Sequence, residues 1–478
     1  MTKSWQEEIS TASFIDAKKI ATILDTTKQM DDKRFEDILA KLKEYKSERR
    51  LSLEEVGYLL NCNDNEKIEQ IFKLASQMKT EVYGNRVVLF APLYLGNKCT
   101  NSCTYCGFNV LNTKMQRMTL SMDQLATEVK ALQSRGHKRL ILVYGTHPDY
   151  DAQFIADSVR KVYSVTSGNS GEIRRVNINA SPLSIDEFKI VKDAGIGTYQ
   201  VFQETYHEPT YAKVHPNGEK SNYKWRLFSM DRAQKAGIDD VGLGVLFGLY
   251  DWRFEVLALL SHTYYLEDTF AVGPHTLSFP RLKAASGTSV NQEYDISDEN
   301  FKKIIAILRL SVPYTGLILT ARETAELRRE CMNLGVSQID AGTQIELNTY
   351  SKKNNAKEQN LDTEQFQIGD TRSLDETMLD LMTSGFVPSF CTACYRVGRT
   401  GEHFMEFSKP GFIHEFCTPN GILTLQEYLR DYAGEDTKKA GEALINHELD
   451  NLQSSMHSKE SILKDLERVN NNENDIYY

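Results

Sequence analysis

The sequence predicts an α/β fold: a (β/α)8 barrel of the TIM type, with helices before it and a cysteine-bearing domain after it. Three observations predict this. Eight strand-sized apolar runs lie between residues 86 and 350, and the segments between them carry helical periodicity, the pattern of parallel strands joined by crossover helices. The N-terminal 85 residues read as polar amphipathic helices instead. A polar stretch at 351–370 then reads as a linker or long loop before a segment, 371–478, in which cysteines cluster again.

Taken in order, "DDKRFEDILAKLKEYKSER" spaces its apolar residues as a helix does, and "LSLEEVGYLLN" follows with Ser52 as an N-cap. The strand runs are "RVVLFAPLYL", "RLILVYG", "RRVNINA", "TYQVFQET", "DVGLGVLFG", "HTLSFPR", "GLILTARE" and "SQIDAGTQIEL". A split sheet or doubly wound fold is the alternative. In such barrels the chemistry sits at the C-terminal ends of the strands. "CTNSCTYC" follows the first strand directly, so it lies where a catalytic loop belongs. The tail, "DLERVNNNENDIYY", is polar and is expected to fray.

Composition excludes several classes. The 478 residues are 41% hydrophobic and 26% charged, ordinary globular values, and their net charge of −10 argues against a general nucleic-acid binder. No apolar run approaches the roughly 18 residues of a membrane span. "MTKSWQEEISTASF" has no apolar core of a secretory signal. Eight cysteines in so long a chain make no disulfide framework, so a reducing, cytoplasmic location is expected.

Six of the eight cysteines fall into two groups of three. Cys99, Cys103 and Cys106 are spaced C-x3-C-x2-C on one tight loop. A structural zinc site would want a fourth ligand, whereas a 4Fe–4S cluster held by three thiolates leaves one iron open to a small molecule. Cys391, Cys394 and Cys417 repeat the count as C-x2-C-x22-C. There the spacing leaves zinc, closed by His403 or His414, and iron–sulfur as equal readings.

The first spacing ahead of a (β/α) barrel resembles the radical S-adenosylmethionine (SAM) enzymes, and Tyr105 matches the aromatic residue that precedes their third cysteine. "CTACYR" followed by "GRTG" and a distant cysteine resembles the HydG family, the tyrosine lyases of FeFe-hydrogenase maturation, as do "NRVVLFAPLYLGNKC", "AGIGTYQVFQETYH", "AGIDDVGLGVLFGLYD", "VGPHT" and "VPYTGLIL". The related ThiH lyases lack the second cluster. The resemblance implies two 4Fe–4S clusters, the second in the C-terminal domain and carrying a further labile iron, and SAM on the first. It implies cleavage of the Cα–Cβ bond of L-tyrosine, or a related aromatic amino acid, to p-cresol and dehydroglycine. Dehydroglycine would pass through the barrel and become iron-bound CO and cyanide at the second cluster. A ferredoxin- or flavodoxin-type electron donor and other hydrogenase maturases are the implied partners, with no nucleic acid and no membrane. The alternatives are a divergent paralogue, a ThiH-like lyase that stops at dehydroglycine, and a non-catalytic iron–sulfur scaffold.

Site residues follow from chemistry. A tyrosine carboxylate needs a cation, best a guanidinium fork. Arg322, with Thr320 nearby, is the first candidate and Arg281 the second; a rim salt bridge is the competing role for each arginine. Gly244 and Gly248, in "GLGVLFG", would let backbone approach the adenine of SAM, or would serve close packing. Gln203 and Glu204, ending the fourth strand, would bind the SAM ribose or amino group. Three positions depart from the family. Thr146 stands where an acidic residue holds the SAM amino group. Tyr265 stands where a second histidine is expected, leaving His262 and His275 as ligands for the labile iron. "AGTQIELNTY" replaces a glycine-rich stretch and would re-line the cavity.

Overall fold

The protein is described by a computed structural model covering residues 13–29, 31–44, 50–168, 171–288, 292–452 and 456–478. Residues 1–12 and 45–49, parts of the expected helical region, lie outside the described residues. Four helices come first: α1 (Ala17–Thr26), α2 (Asp32–Lys43), α3 (Leu53–Asn61) and α4 (Asn65–Tyr83). Asp16, Asp31, Ser52 and Asp64 cap the open N–H groups of their first turns. Ser52 does so in a reciprocal capping box with Glu55.

The barrel strands are β1 (Arg86–Gly96) and β2 (Arg139–Tyr144), then, after the small hairpin β3–β4 (Thr166–Ser167, Gly171–Glu172), β5 (Arg175–Asn179), β6 (Tyr199–Gln200), β7 (Val241–Gly244), β8 (Thr276–Ser278), β9 (Gly316–Leu319) and β10 (Gln338–Asp340). All are parallel, and β10 returns to β1, with Leu89 opposite Ile339, to close eight strands into a barrel. That closure removes the doubly wound alternative. The helices between them are α5 (Met122–Gln133), α6 (Ala152–Ser164), α7 (Ile185–Asp193), α8 (Glu208–Val214), α9 (Tyr223–Leu227), α10 (Ser229–Lys235), α11 (Trp252–Phe270), α12 (Asp298–Ser311) and α13 (Ala325–Asn333).

Side chains alternate across each strand. On β1, Val87, Leu89, Ala91, Leu93 and Leu95 join the main core between barrel and helices, while Phe90, Pro92 and Tyr94 line the barrel cavity. On β6 and beyond it, Tyr199 and Val201 are core, and Gln200, Phe202 and Glu204 line the cavity.

The region after the barrel holds α14 (Leu374–Thr383), β11 (Val387–Ser389), α15 (Ala393–Arg396), α16 (Gly401–Ser408), α17 (His414–Asp431), α18 (Glu435–Asp450) and α19 (Lys459–Asn470). β11 was not legible: it is three residues long and contains Pro388. It pairs with Arg86–Val88 at the start of β1, so this region extends the barrel's own sheet, and α17 packs on β11 and α4. The 351–370 stretch is a long loop that lies across the cavity mouth, contributing Gln365, Phe366 and Ile368 to its lining. One expectation changes. The tail is docked rather than frayed: Ile476 is buried, Asp475 N–H donates to Glu427 at 2.6 Å, and Tyr478 N–H donates to Asn420 Oδ1 at 2.8 Å.

Candidate active site

The barrel surrounds a cavity that opens at its mouth, and Cys99, Cys103 and Cys106 all line it. Their loop leaves β1 and is stitched by side-chain amides. Asn97 bonds Met118 N–H and Gln116 C=O at 2.7 Å each, and Asn109 Nδ2 donates to Cys103 C=O at 3.0 Å. Arg117 donates to the carbonyls of Asn97 and Phe108 at 2.8 and 2.9 Å and of Asn109 at 2.6 Å. Gly145, at the end of β2, packs so closely on the loop that any Cβ would strike Lys98 C=O. Cys99 Sγ accepts from Asn101 at 3.6 Å and Cys106 Sγ from Gln365 at 3.4 Å. Burial pushes the Cys103 thiol up to about 12. Tyr105 lines the cavity and hydrogen-bonds His215 Nε2 at 2.7 Å.

Glu204 faces the cavity with left-handed backbone, φ 70°. Its carboxylate meets Lys220 Nζ at 2.6 Å and Arg226 at 3.5 Å. Burial would raise its pKa, but those two cations outweigh burial and hold it below the ordinary value. Gln203, one residue earlier, points out of the cavity, its amide near Tyr223 C=O at 3.5 Å; strand alternation separates the two neighbours. Gly244 and Gly248 are not on the cavity wall. A Cβ at Gly244 would enter the Phe202 ring, and Gly248 takes φ 112° beside Leu282.

Arg322 and Thr320, at the end of β9, both line the cavity. Arg322 is half-buried, lies over the Phe366 ring at 3.3 Å, donates to Arg281 C=O at 3.4 Å and makes no ion pair among the described residues, Glu204 and Glu323 acting on it only from farther away. Burial lowers its pKa. Thr320 Oγ1 is buried without a hydrogen-bond partner. Arg281, the second candidate, is already committed: it forms an ion pair with Glu323 and another with Asp298 at 2.8 Å. Of the positions that depart from the family, Thr146 lines the cavity and accepts from Ser181 at 2.7 Å. Thr343 and Ile345 re-line it from the loop after β10.

The second group lies by the first residues of the strands. Arg139, which opens β2, donates to Cys391 C=O at 2.6 Å. Burial raises Cys391 and Cys417, and Arg86, which opens β1, works against it at both. The two candidate histidines part company. His275, just before β8, bonds Tyr395 Oη at 3.0 Å, one residue from Cys394. His262 sits on α11 in the outer layer, bonded to Tyr206 Oη at 2.8 Å and packed on Phe14. Tyr265 shares that layer, donating to Asp231 at 2.6 Å. Its departure therefore bears on the helical shell, not on the cysteines. Of the zinc alternative's two histidines, His403 is exposed beside Glu406, and His414 bonds Gly411 C=O through Nδ1 at 2.6 Å. No three His, Cys, Asp or Glu side chains converge on a single-ion site among the described residues.

The Radical SAM superfamily model matches residues 93–260, and the Biotin and Thiamin Synthesis associated domain matches 278–387. A solved structure of HydG, a maturase of the FeFe-hydrogenase, is 43% identical, covers 98% of this chain and 100% of its own, and superposes with a TM-score of 0.92. This chain belongs to the HydG family. HydG from Carboxydothermus hydrogenoformans is 36% identical over 97% of this chain and 100% of its own, TM-score 0.82. The 2-iminoacetate synthase of Escherichia coli (strain K12) is 30% identical over 340 residues, 71% of this chain and 86% of its own. HydG membership makes the chain a radical-SAM enzyme that binds SAM and iron–sulfur. The donor set fits: three thiols on one stitched loop face a cavity that also holds a guanidinium without an ion pair and an unpartnered hydroxyl.

Sequence reasoning missed Lys220, Arg226, Gln365 and Glu255. The first three reach the cavity from loops and a short helix with no motif. Glu255, on α11, accepts from Thr205 Oγ1 and, at 2.8 Å, from Tyr206 N–H, and so holds the turn that aims Glu204. A carboxylate within an apolar helix, "DWRFEVLALL", was its only signal.

Proposed function

We propose that this chain is the tyrosine lyase of FeFe-hydrogenase maturation: a radical-SAM carbon–carbon lyase with a second reaction centre at the other end of its barrel. Cys99, Cys103 and Cys106 would hold a 4Fe–4S cluster, which with SAM supplies a 5′-deoxyadenosyl radical. The chain's own residues do the rest. The observation that carries the substrate reading is the half-buried Arg322, which makes no ion pair among the described residues, beside the unpartnered Thr320. A desolvated guanidinium without a counter-ion is costly, and an amino-acid carboxylate satisfies it bidentately. Phe366, stacked on the guanidinium, keeps water from it. Glu204, held ionised by Lys220 and Arg226, would take an ammonium or ribose hydroxyl of SAM. Thr146, paired with Ser181, would offer a neutral contact where relatives use an acid.

Cys391, Cys394 and Cys417 would hold the second 4Fe–4S cluster and His275 a further iron, a centre that would supply iron to bind CO and cyanide derived from dehydroglycine. Inside the barrel, Thr276 and Ser278 carry buried hydroxyls with no partner, suited to a small polar molecule in transit. A domain division at 85, 350 and 370 remains part of this reading, with the C-terminal segment as the second cluster's cover. A reading that stops at dehydroglycine is favoured by the likeness to 2-iminoacetate synthase. Anaerobic reconstitution with SAM, dithionite and tyrosine decides between them. p-Cresol with CO supports the proposal, p-cresol without CO supports the second reading, and no p-cresol removes both.

A further inference from the structure

We propose that the tip of the first cysteine loop, Val110 to Lys114, is the docking surface for a small acidic one-electron carrier protein, a proposal that rests on the radical-SAM reading of that loop. Leu111 is 72% exposed, more than any other large apolar side chain among the described residues, and Val110 beside it is 47% exposed. Single exposed apolar residues are common; the setting of this pair is not. Val110 N–H donates to Asn101 C=O at 2.8 Å, Leu111 N–H to Asn109 Oδ1 at 2.8 Å, and Asn112 Nδ2 to Gly107 C=O at 2.9 Å. Arg117 closes the base of the same turn through four carbonyls. An apolar pair on so rigid a turn has little conformational freedom left to lose on binding, which is what a contact surface needs.

The tip also stands where an electron must enter. Asn109, which fixes Leu111, bonds Cys103 C=O at 3.0 Å, and electron transfer weakens steeply with distance. The surrounding charge selects the carrier's sign. Lys114 on the tip and Lys213 on α8 are exposed and make no ion pair among the described residues. α8 joins the loop through Thr104 N–H, which donates to Val214 C=O at 3.1 Å. Of the acids on this face, Asp149 is paired with Lys98 at 2.8 Å, while Asp362 accepts from Ser286 at 2.6 Å and keeps its charge, one acid against the two lysines. On a chain of net charge −10, this basic rim runs against the overall sign, so an acidic carrier is repelled elsewhere and steered here. A small apolar centre with charged flanks is the scale of a transient redox interface.

The test uses the reconstituted protein and an oxidised 4Fe–4S ferredoxin, with binding followed by biolayer interferometry over a range of salt. Leu111→Asp should weaken binding about tenfold or more. Lys114→Glu with Lys213→Glu should weaken it and flatten its salt dependence. In both variants ferredoxin-driven 5′-deoxyadenosine formation should fall while the dithionite-driven rate stays within about twofold. Unaltered ferredoxin affinity in both variants overturns the proposal. So does an equal fall with dithionite, which would make the tip a structural part of the loop. If the unaltered protein forms no 5′-deoxyadenosine with dithionite, the radical-SAM reading fails, and the binding data still decide the surface.

Discussion

At the barrel mouth, Cys99, Cys103 and Cys106 share a cavity with Arg322 and Thr320. By the opening residues of the strands, Cys391, Cys394 and Cys417 lie under helices, and their nearest charges are fixed arginines: Arg86, Arg139 and Arg399. Burial raises Cys103 and Cys106 at the mouth and Cys391, Cys394 and Cys417 below, but the opposing cation differs. At the mouth it is Lys220, on a loop; below it is Arg86 and Arg139, set in β1 and β2. The mouth sets a guanidinium without an ion pair and an unpartnered hydroxyl beside its thiols. At the lower site Asp240 is paired with Arg175 at 2.8 Å, while Arg86 Nε and Arg399 Nε are buried without hydrogen-bond partners. The mouth exposes its free groups to an open cavity, and the lower end surrounds its thiols with fixed positive charge.

The largest break in this comparison is removal of the upper thiols. Replacing Cys99, Cys103 and Cys106 by alanine should reduce reconstituted iron from about eight to about four per chain and abolish 5′-deoxyadenosine. Iron analysis and chromatography of the same samples check it, and surviving 5′-deoxyadenosine would misassign the site. Cys391→Ala with Cys394→Ala should do the converse: p-cresol persists and CO, trapped on haem, disappears. Equal loss of both products would show that the two ends do not act separately.

A carboxylate sharpens the contrast next. Asp240, at the lower end, is held below its ordinary pKa: burial would raise it, but His275 and Arg175 outweigh that. Glu255, behind the mouth, has no cation, and burial raises it from 4.5 to about 7. The folded state therefore keeps a proton that the unfolded chain releases, so this contribution to stability is complete below about pH 4.5 and is lost as pH rises through 7. The span is about 3 kcal/mol. Glu255→Gln should flatten stability between pH 5 and 7, measured by urea unfolding, and an unchanged slope would place the ionisation elsewhere. Arg322→Lys should cost about 2 kcal/mol in tyrosine binding, because an ammonium cannot reproduce the fork. That is a rise of roughly thirtyfold in KM, with SAM binding little changed. An unaltered tyrosine KM would remove Arg322 from the role.

The same two ends explain what could be read in the sequence. All eight barrel strands were legible because buried parallel strands are continuous apolar runs, and the upper cysteines because a short spacing on one loop fixes their proximity. β11 was not legible, since three residues carry no period. Nor was the covering of the mouth by Gln365 and Phe366, because a polar stretch such as 351–370 gives no direction. Gln203 and Glu204 were given one role, and strand alternation splits them. His262 and His275 were equal in the sequence. Only the fold puts His262 on α11 against Phe14 and His275 beside Tyr395.

The smallest effect tests whether the free groups at the mouth wait for a ligand or are merely tolerated. Thr320 Oγ1 is buried and unpartnered. In the ligand-free protein such a hydroxyl costs stability, so Thr320→Val, nearly the same shape, should leave the unfolding midpoint unchanged or raise it slightly. If the hydroxyl instead meets the tyrosine carboxylate beside Arg322, the same change should weaken substrate binding by about 1 kcal/mol, roughly fivefold in KM. The two readouts move in opposite directions only if the group serves the ligand. A hydroxyl hidden for packing would leave KM alone, and one that secretly bonds the fold would lower the midpoint. At the lower end, Tyr395→Phe, which removes the bond to His275, should lower the midpoint, because there the partner is already present.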